Sequence, residues 1–143
     1  MGFLSRVPAV EEWLDEAAEE WSQLSDREYG DFWRRWREAF ESRLSQGKPT
    51  ARDVEAMARI ERELPFEAVV FSAPGYDFLP SSTPDRAPLF AYRASRLTRI
   101  DRERCNSWDC ILADRDLRFT CLYTHEIGSL GDPVFLEMPS NET

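Results

Sequence analysis

The chain carries one histidine, His125, inside Thr124-His125-Glu126, with Asp132 seven residues further on. An imidazole with carboxylates nearby is the smallest set that could bind a metal ion or move a proton at neutral pH. His125, Glu126 and Asp132 are therefore the polar cluster on which a metal-binding protein or a hydrolase-like enzyme would be built. The helical HExxH pattern needs a second histidine, which the chain lacks. The residues before His125 point to a structural role instead. Phe119, Cys121 and Tyr123 alternate as the inward positions of a strand, which turns His125 to the same side and Glu126 to the other. A half-buried imidazole needs a partner, and Asp132 or a carbonyl in 128–131 is the expected one.

The three cysteines are Cys105, Cys110 and Cys121. Their C-x4-C-x10-C spacing matches no standard zinc pattern, and an odd number favours reduced thiols. Cys110 and Cys121 fall on the expected core side of a hairpin, where a free cysteine acts as a small hydrophobe. Cys121 and His125 are four strand residues apart, roughly 13 Å, too far for a nucleophile–base pair. Cys105 precedes the hairpin and is expected to be accessible. There is no P-loop, GxGxxG, GxSxG or paired CxxC. No catalytic set, cofactor or metal site is expected.

Charge is more informative. Twenty-seven acids face eighteen bases, a net of −9. Residues 1–30 hold eight acids and two bases, residues 105–143 seven and two, and the centre twelve and fourteen. An acidic chain is a poor match for nucleic-acid phosphates. No run approaches the roughly 18 apolar residues of a membrane span, and Met1–Arg6 does not read as a signal peptide. The expectation is a soluble, intracellular, cytoplasmic protein with neither nucleic acid nor membrane as partner. At 143 residues it should form one domain.

Whatever site exists must be positioned by two halves of different character. Residues 1–64 read as helices. Val10, Trp13, Leu14, Ala17, Trp21 and Leu24 follow helical spacing, with Pro8 suited to the first turn. The opposite face is acidic, including Glu12, Glu16 and Glu19. Ser25-Asp26-Arg27-Glu28 is a capping box, and it opens a second helix with the stripe Tyr29, Phe32, Trp33, Trp36, Phe40 and Leu44. Gly47-Lys48-Pro49 should stop it. Thr50 is the expected cap of a third helix that ends at Pro65.

Residues 66–138 read as strands. Phe66–Ala73 is β-branched and aromatic. Residues 74–88 form a long turn-rich stretch with Pro74, Pro80, Pro84 and Pro88. It also holds Tyr76 and Asp77, and loops of this length are often functional. Leu89–Tyr92 is a candidate strand, followed by an Arg-rich stretch to Arg104 that could be irregular or a short helix. Residues 108–124 form a hairpin if Arg115-Asp116 is a two-residue turn. Leu112 then faces Phe119, Cys110 faces Cys121 and Trp108 faces Tyr123, all on one buried side. Val134–Met138 should be the last strand.

Val69-Val70-Phe71-Ser72, the D-x-I-L-x-D-x-x-L-x-F-T run at 109–120, Thr124-His125-Glu126 and Gly-x-Pro-x-Phe at 131–135 together resemble an uncharacterised family of small bacterial proteins. Members share a Thr-His-Glu and a following Gly-Pro-aromatic strand; Asp132 is inserted into that last element here. The resemblance covers about half the chain and brings no established activity. Small acidic bacterial proteins of this build often serve as immunity proteins or inhibitors, an analogy of build rather than of site.

The expectation is therefore one α+β domain over 1–143. Two or three amphipathic helices from 1–64 should pack on one face of an antiparallel sheet from 66–138. Its expected role is to bind another protein, a basic one, through Glu12, Glu16, Glu19, Tyr76 and Asp77. The alternative is chemistry at His125, Glu126 and Asp132.

Overall fold

The computed structural model describes residues 4–46, 48–72, 89–108, 110–123 and 133–138. They form an α+β fold. Four helices, α1 (Pro8–Ala17), α2 (Asp26–Ser45), α3 (Asp53–Glu63) and α4 (Arg102–Trp108), pack on a seven-stranded antiparallel sheet. Its strands are β1 (Ala18–Gln23), β2 (Ala51–Arg52), β3 (Phe66–Ser72), β4 (Ala91–Leu97), β5 (Cys110–Asp114), β6 (Phe119–Leu122) and β7 (Val134–Glu137), in the order β1-β4-β3-β5-β6-β7-β2. The N-terminal half is thus not wholly helical, since it also supplies both edge strands.

Strand alternation splits the interior into two cores. Phe66, Ala68, Val70, Tyr92, Ala94, Cys110, Leu112, Phe119 and Cys121 meet Val10, Trp13 and Leu14 of α1, Ala56 and Ile60 of α3, and Cys105 of α4. On the reverse face Val69, Phe71, Ile111, Ala113, Leu122, Val134 and Leu136 meet the α2 stripe. The helices therefore cover both faces, not one. Ile111 and Leu122, on the other side of the hairpin, are the floor under α2.

α2 is the element whose sequence and structure agree most closely. The Ser25 hydroxyl accepts from Glu28 N at 3.1 Å, and the Glu28 carboxylate accepts from Ser25 N at 2.8 Å. Phe71 of β3 sits among Tyr29, Phe32, Trp33 and Trp36, with ring centroids 5.7–6.3 Å apart. Two buried polar contacts lock the helix to the sheet. Trp36 Nε1 donates to Thr120 Oγ1 at 3.0 Å, and Tyr29 Oη donates to Ser72 O at 2.9 Å.

Four local expectations are corrected. The first helix stops at Ala17, and Ala18 is already extended at φ −133° and ψ 153°. Trp21 lies on a strand opposite Ala94 and stands edge-on to Tyr92, with ring centroids 5.5 Å apart. Strand pairing overrides the helical propensity of Ala18-Glu19-Glu20. Thr50 caps no helix, because its hydroxyl accepts from Arg43 Nη2 and Glu137 N; α3 begins at Asp53 behind Arg52, with no side-chain cap. The Arg-rich stretch continues β4 as far as Leu97. Arg96, at φ 49°, interrupts the register with β3, so Ala94 and Leu97 both reach one core.

The hairpin is the fourth. Leu112 pairs with Cys121 and Ala113 with Thr120, a register two residues from the expected one. A shift of two preserves the face of every side chain, so Cys110, Leu112, Phe119, Cys121 and Tyr123 are buried together as expected. Trp108 ends α4 instead of starting the strand. The turn is longer because Leu117 takes a left-handed conformation (φ 60°) and plugs the α2 core. Asp114, almost fully buried, closes it by accepting from N, Nε and Nη2 of Arg118 and from N of Asp116.

Candidate interaction surface

His125, Glu126, Asp132, Tyr76 and Asp77 all lie outside the described residues, as does the 74–88 loop. The three expected acids on the N-terminal segment are placed. Glu12 and Glu16 are one helical turn apart on the exposed side of α1, and Glu19 follows on β1.

This surface is mixed in sign. The Arg-rich stretch from Arg93 to Arg104 runs alongside it and supplies counter-charges. Glu16 meets Arg99 at 2.9 Å and Arg104 at 3.7 Å, and Glu19 meets Arg96 at 3.3 Å. These pairs are exposed, so each is worth under about 1 kcal/mol and yields readily to a competing partner. Glu12 and Glu20 make no ion pair among the described residues.

The end of this surface near the N-terminus is ordered by a short relay. Arg6 donates to Glu11 from Nε at 2.9 Å and from Nη2 at 2.7 Å, Tyr92 Oη donates to Glu11 at 2.7 Å, and Val7 N donates to Tyr92 Oη at 2.8 Å. Hydrogen bonding to Arg6 holds the Glu11 carboxyl below its usual range. Burial pushes the Tyr92 phenol up to about 12, with Val7 N opposing and Glu11 adding to the rise.

Beside the relay, β1 bounds a cleft of about 430 Å³ at the edge of the sheet, shared with Asp15 of α1 and with Arg93 and Ser95 of β4. Trp21 Nε1 donates to Asp15 Oδ1 at 2.7 Å, which fixes the half-buried indole along the cleft wall. The sequence pattern hides this edge by placing Trp21 in a helix. The available signal was Trp21-Ser22, two residues that favour helix less than the preceding Ala-Ala-Glu-Glu.

The thiols form no reactive site. Cys105, Cys110 and Cys121 are all fully buried, so the expectation of an accessible Cys105 is corrected: α4 turns it into the core. Burial pushes its thiol well above the ordinary value, and a hydrogen bond with Cys110 adds to this. Burial does the same to the Tyr123 phenol, whose Oη lies 3.6 Å from Met57 Sδ. Among the described residues, no three of His, Cys, Asp and Glu are grouped to hold a metal ion. No described helix is long and apolar enough to cross a membrane.

No protein-family model, curated protein or solved structure matches the chain.

Proposed function

We propose that this is an acidic protein-binding domain of the bacterial cytoplasm, one that covers a basic partner protein as an immunity protein or inhibitor does. The observation that carries the reading is the run of acids along α1 and β1. Within it Glu12 and Glu20 are uncommitted among the described residues, and Glu16 and Glu19 are held only by exposed, exchangeable pairs. The net charge of −9 extends the attraction beyond direct contact, since complementary fields steer association over about a Debye length.

The test is affinity capture from the native host with the full chain as bait. A basic partner should be retained at low salt and released as salt rises. It should be lost from a Glu12→Lys, Glu20→Lys double variant that melts like the parent. A partner that is acidic, or retention insensitive to both salt and charge reversal, overturns the reading.

A further inference from the structure

The two edges of the sheet are finished differently. At one edge the last strand, β2, has only two residues, and α3 follows it at once. Beyond its end the β7 backbone is closed by side chains: Arg43 Nη1 donates to Glu137 O at 2.7 Å, and Glu137 N donates to Thr50 Oγ1 at 3.0 Å. Short strands and covering groups are the usual ways to keep an edge from pairing with another chain.

At the other edge β1 runs for six residues, and among the described residues no strand lies outside it. Leu24 N donates to Ala91 O at 3.0 Å, so Leu24 is bonded inward to the chain segment of β4. Antiparallel alternation then turns the N–H and C=O of Gln23 and Trp21 away from β4. The side chains offer a cradle on both faces. Asp15 stands at the Trp21 indole on the α1 face, and Glu20 lies across from Ser95 on the α2 face. The cleft joins these groups around the edge.

We propose that β1 pairs with an extended, Lys- or Arg-bearing segment of the partner, which adds an eighth strand to the sheet. Main-chain hydrogen bonds to Trp21 and Gln23 give the register, and alternate basic side chains, which share one face of an extended segment, reach Glu20, while the residues between them lie over Trp21 and Asp15 on the other face. A second copy of this chain fits less well, because pairing β1 with itself brings two copies of Glu19-Glu20 to one seam. The inference rests on the reading of the protein as a binder of a basic partner.

The probe is a capped Lys-Val alternating octapeptide, compared with its Glu-Val counterpart and with a Lys-Val peptide N-methylated along one edge. The readout is amide exchange of the full chain, resolved by residue. The Lys-Val peptide should slow exchange at Trp21 and Gln23 by at least about fivefold, while neither control peptide should. Glu20→Lys, an exposed change, should weaken the peptide about tenfold. Equal binding of the N-methylated peptide, or protection away from β1, overturns strand addition but leaves the basic-partner reading standing. Equal binding of the Glu-Val peptide overturns the choice of a basic strand. Failure of every peptide overturns the edge inference alone if host capture still returns a basic partner, and both if it does not. Protection of the same amides in a self-associated chain without peptide makes the occupant a second copy and overturns the proposal.

Discussion

Thr120→Val tests how α2 is held to the sheet. Thr120 and Trp36 are both fully buried. The Thr120 hydroxyl accepts from Trp36 Nε1 at 3.0 Å and donates to Leu112 O at 2.7 Å, so one oxygen ties helix, β6 and β5 together. Valine keeps the shape but removes both bonds, and the indole N–H loses the acceptor that this packing gives it. A buried donor stripped of its partner costs about 1–3 kcal/mol, and we expect a total near 2 kcal/mol. At roughly 2–4 °C per kcal/mol for a chain of this size, the melting temperature falls by about 4–8 °C. Trp36→Phe alone should cost a similar amount through lost volume, but it leaves the hydroxyl bonded to Leu112 O. In the double variant the N–H is gone, so the orphaned-donor cost disappears. The double should then be about 1 kcal/mol less destabilised than the two singles combined. Urea melts of the four proteins at 25 °C measure this. Additivity within about 0.5 kcal/mol would show that the hydrogen bond does not couple helix to sheet.

Other consequences are independent of that contact. Asp114→Ala should cost about 1–3 kcal/mol in a thermal melt, because the buried carboxylate closes the turn through four donors; Asp114→Asn, which keeps an acceptor for the backbone N–H groups, should cost less. Gly30→Ala should stabilise by about 0.5–1 kcal/mol in the same melt, since Gly30 lies inside α2 and a Cβ there meets nothing within 4 Å. Tyr92 is raised to about 12, so its folded form holds a proton that the unfolded chain releases from about pH 10; stability should fall as pH rises from 10 to 12, and less so in Tyr92→Phe. Glu11 is lowered, so its contribution is complete above the ordinary carboxylate pKa and is lost as pH falls through its folded value, a loss that Glu11→Gln should remove from the acid limb of a pH–stability curve.

The legible parts of the fold were those where local chemistry and tertiary packing agree. The capping box and aromatic stripe of α2 depend on contacts three and four residues apart, and the structure keeps them all. The faces of the 110–123 hairpin were legible although its register was not, because side-chain direction depends on parity and the turn added two residues. That turn hinges on a leucine in a left-handed conformation, which composition does not announce; Asp114 closes it locally, but the energy that holds Leu117 there comes from its burial in the α2 core, a non-local contact. The division of helices between two faces was hidden for a related reason. Ile111 and Leu122 lie opposite the expected buried side of the hairpin, and an apolar residue on each face of neighbouring strands is what a sheet covered on both sides requires.

Legibility of the candidate site follows the same rule with the opposite result. Glu12, Glu16 and Glu19 could be read as an acidic face, but the arginines that oppose two of them come from Arg96–Arg104, and Arg99 stands 83 residues from Glu16 in sequence. Only the fold brings the two runs side by side. The edge strand was hidden more thoroughly, since Ala17-Ala18-Glu19-Glu20 prefers helix and β1 exists because β4 is there to pair with it. A segment with weak strand propensity, stabilised from one side, is one whose outer side gains from a further strand. An added chain supplies the second row of hydrogen bonds that β3 and β5, flanked on both sides, already have. The physical weakness of β1 as a strand and its openness at the acidic face therefore point the same way, and amide exchange along β1, faster at Trp21 and Gln23 than anywhere in β3, is the measurement in which both should be visible.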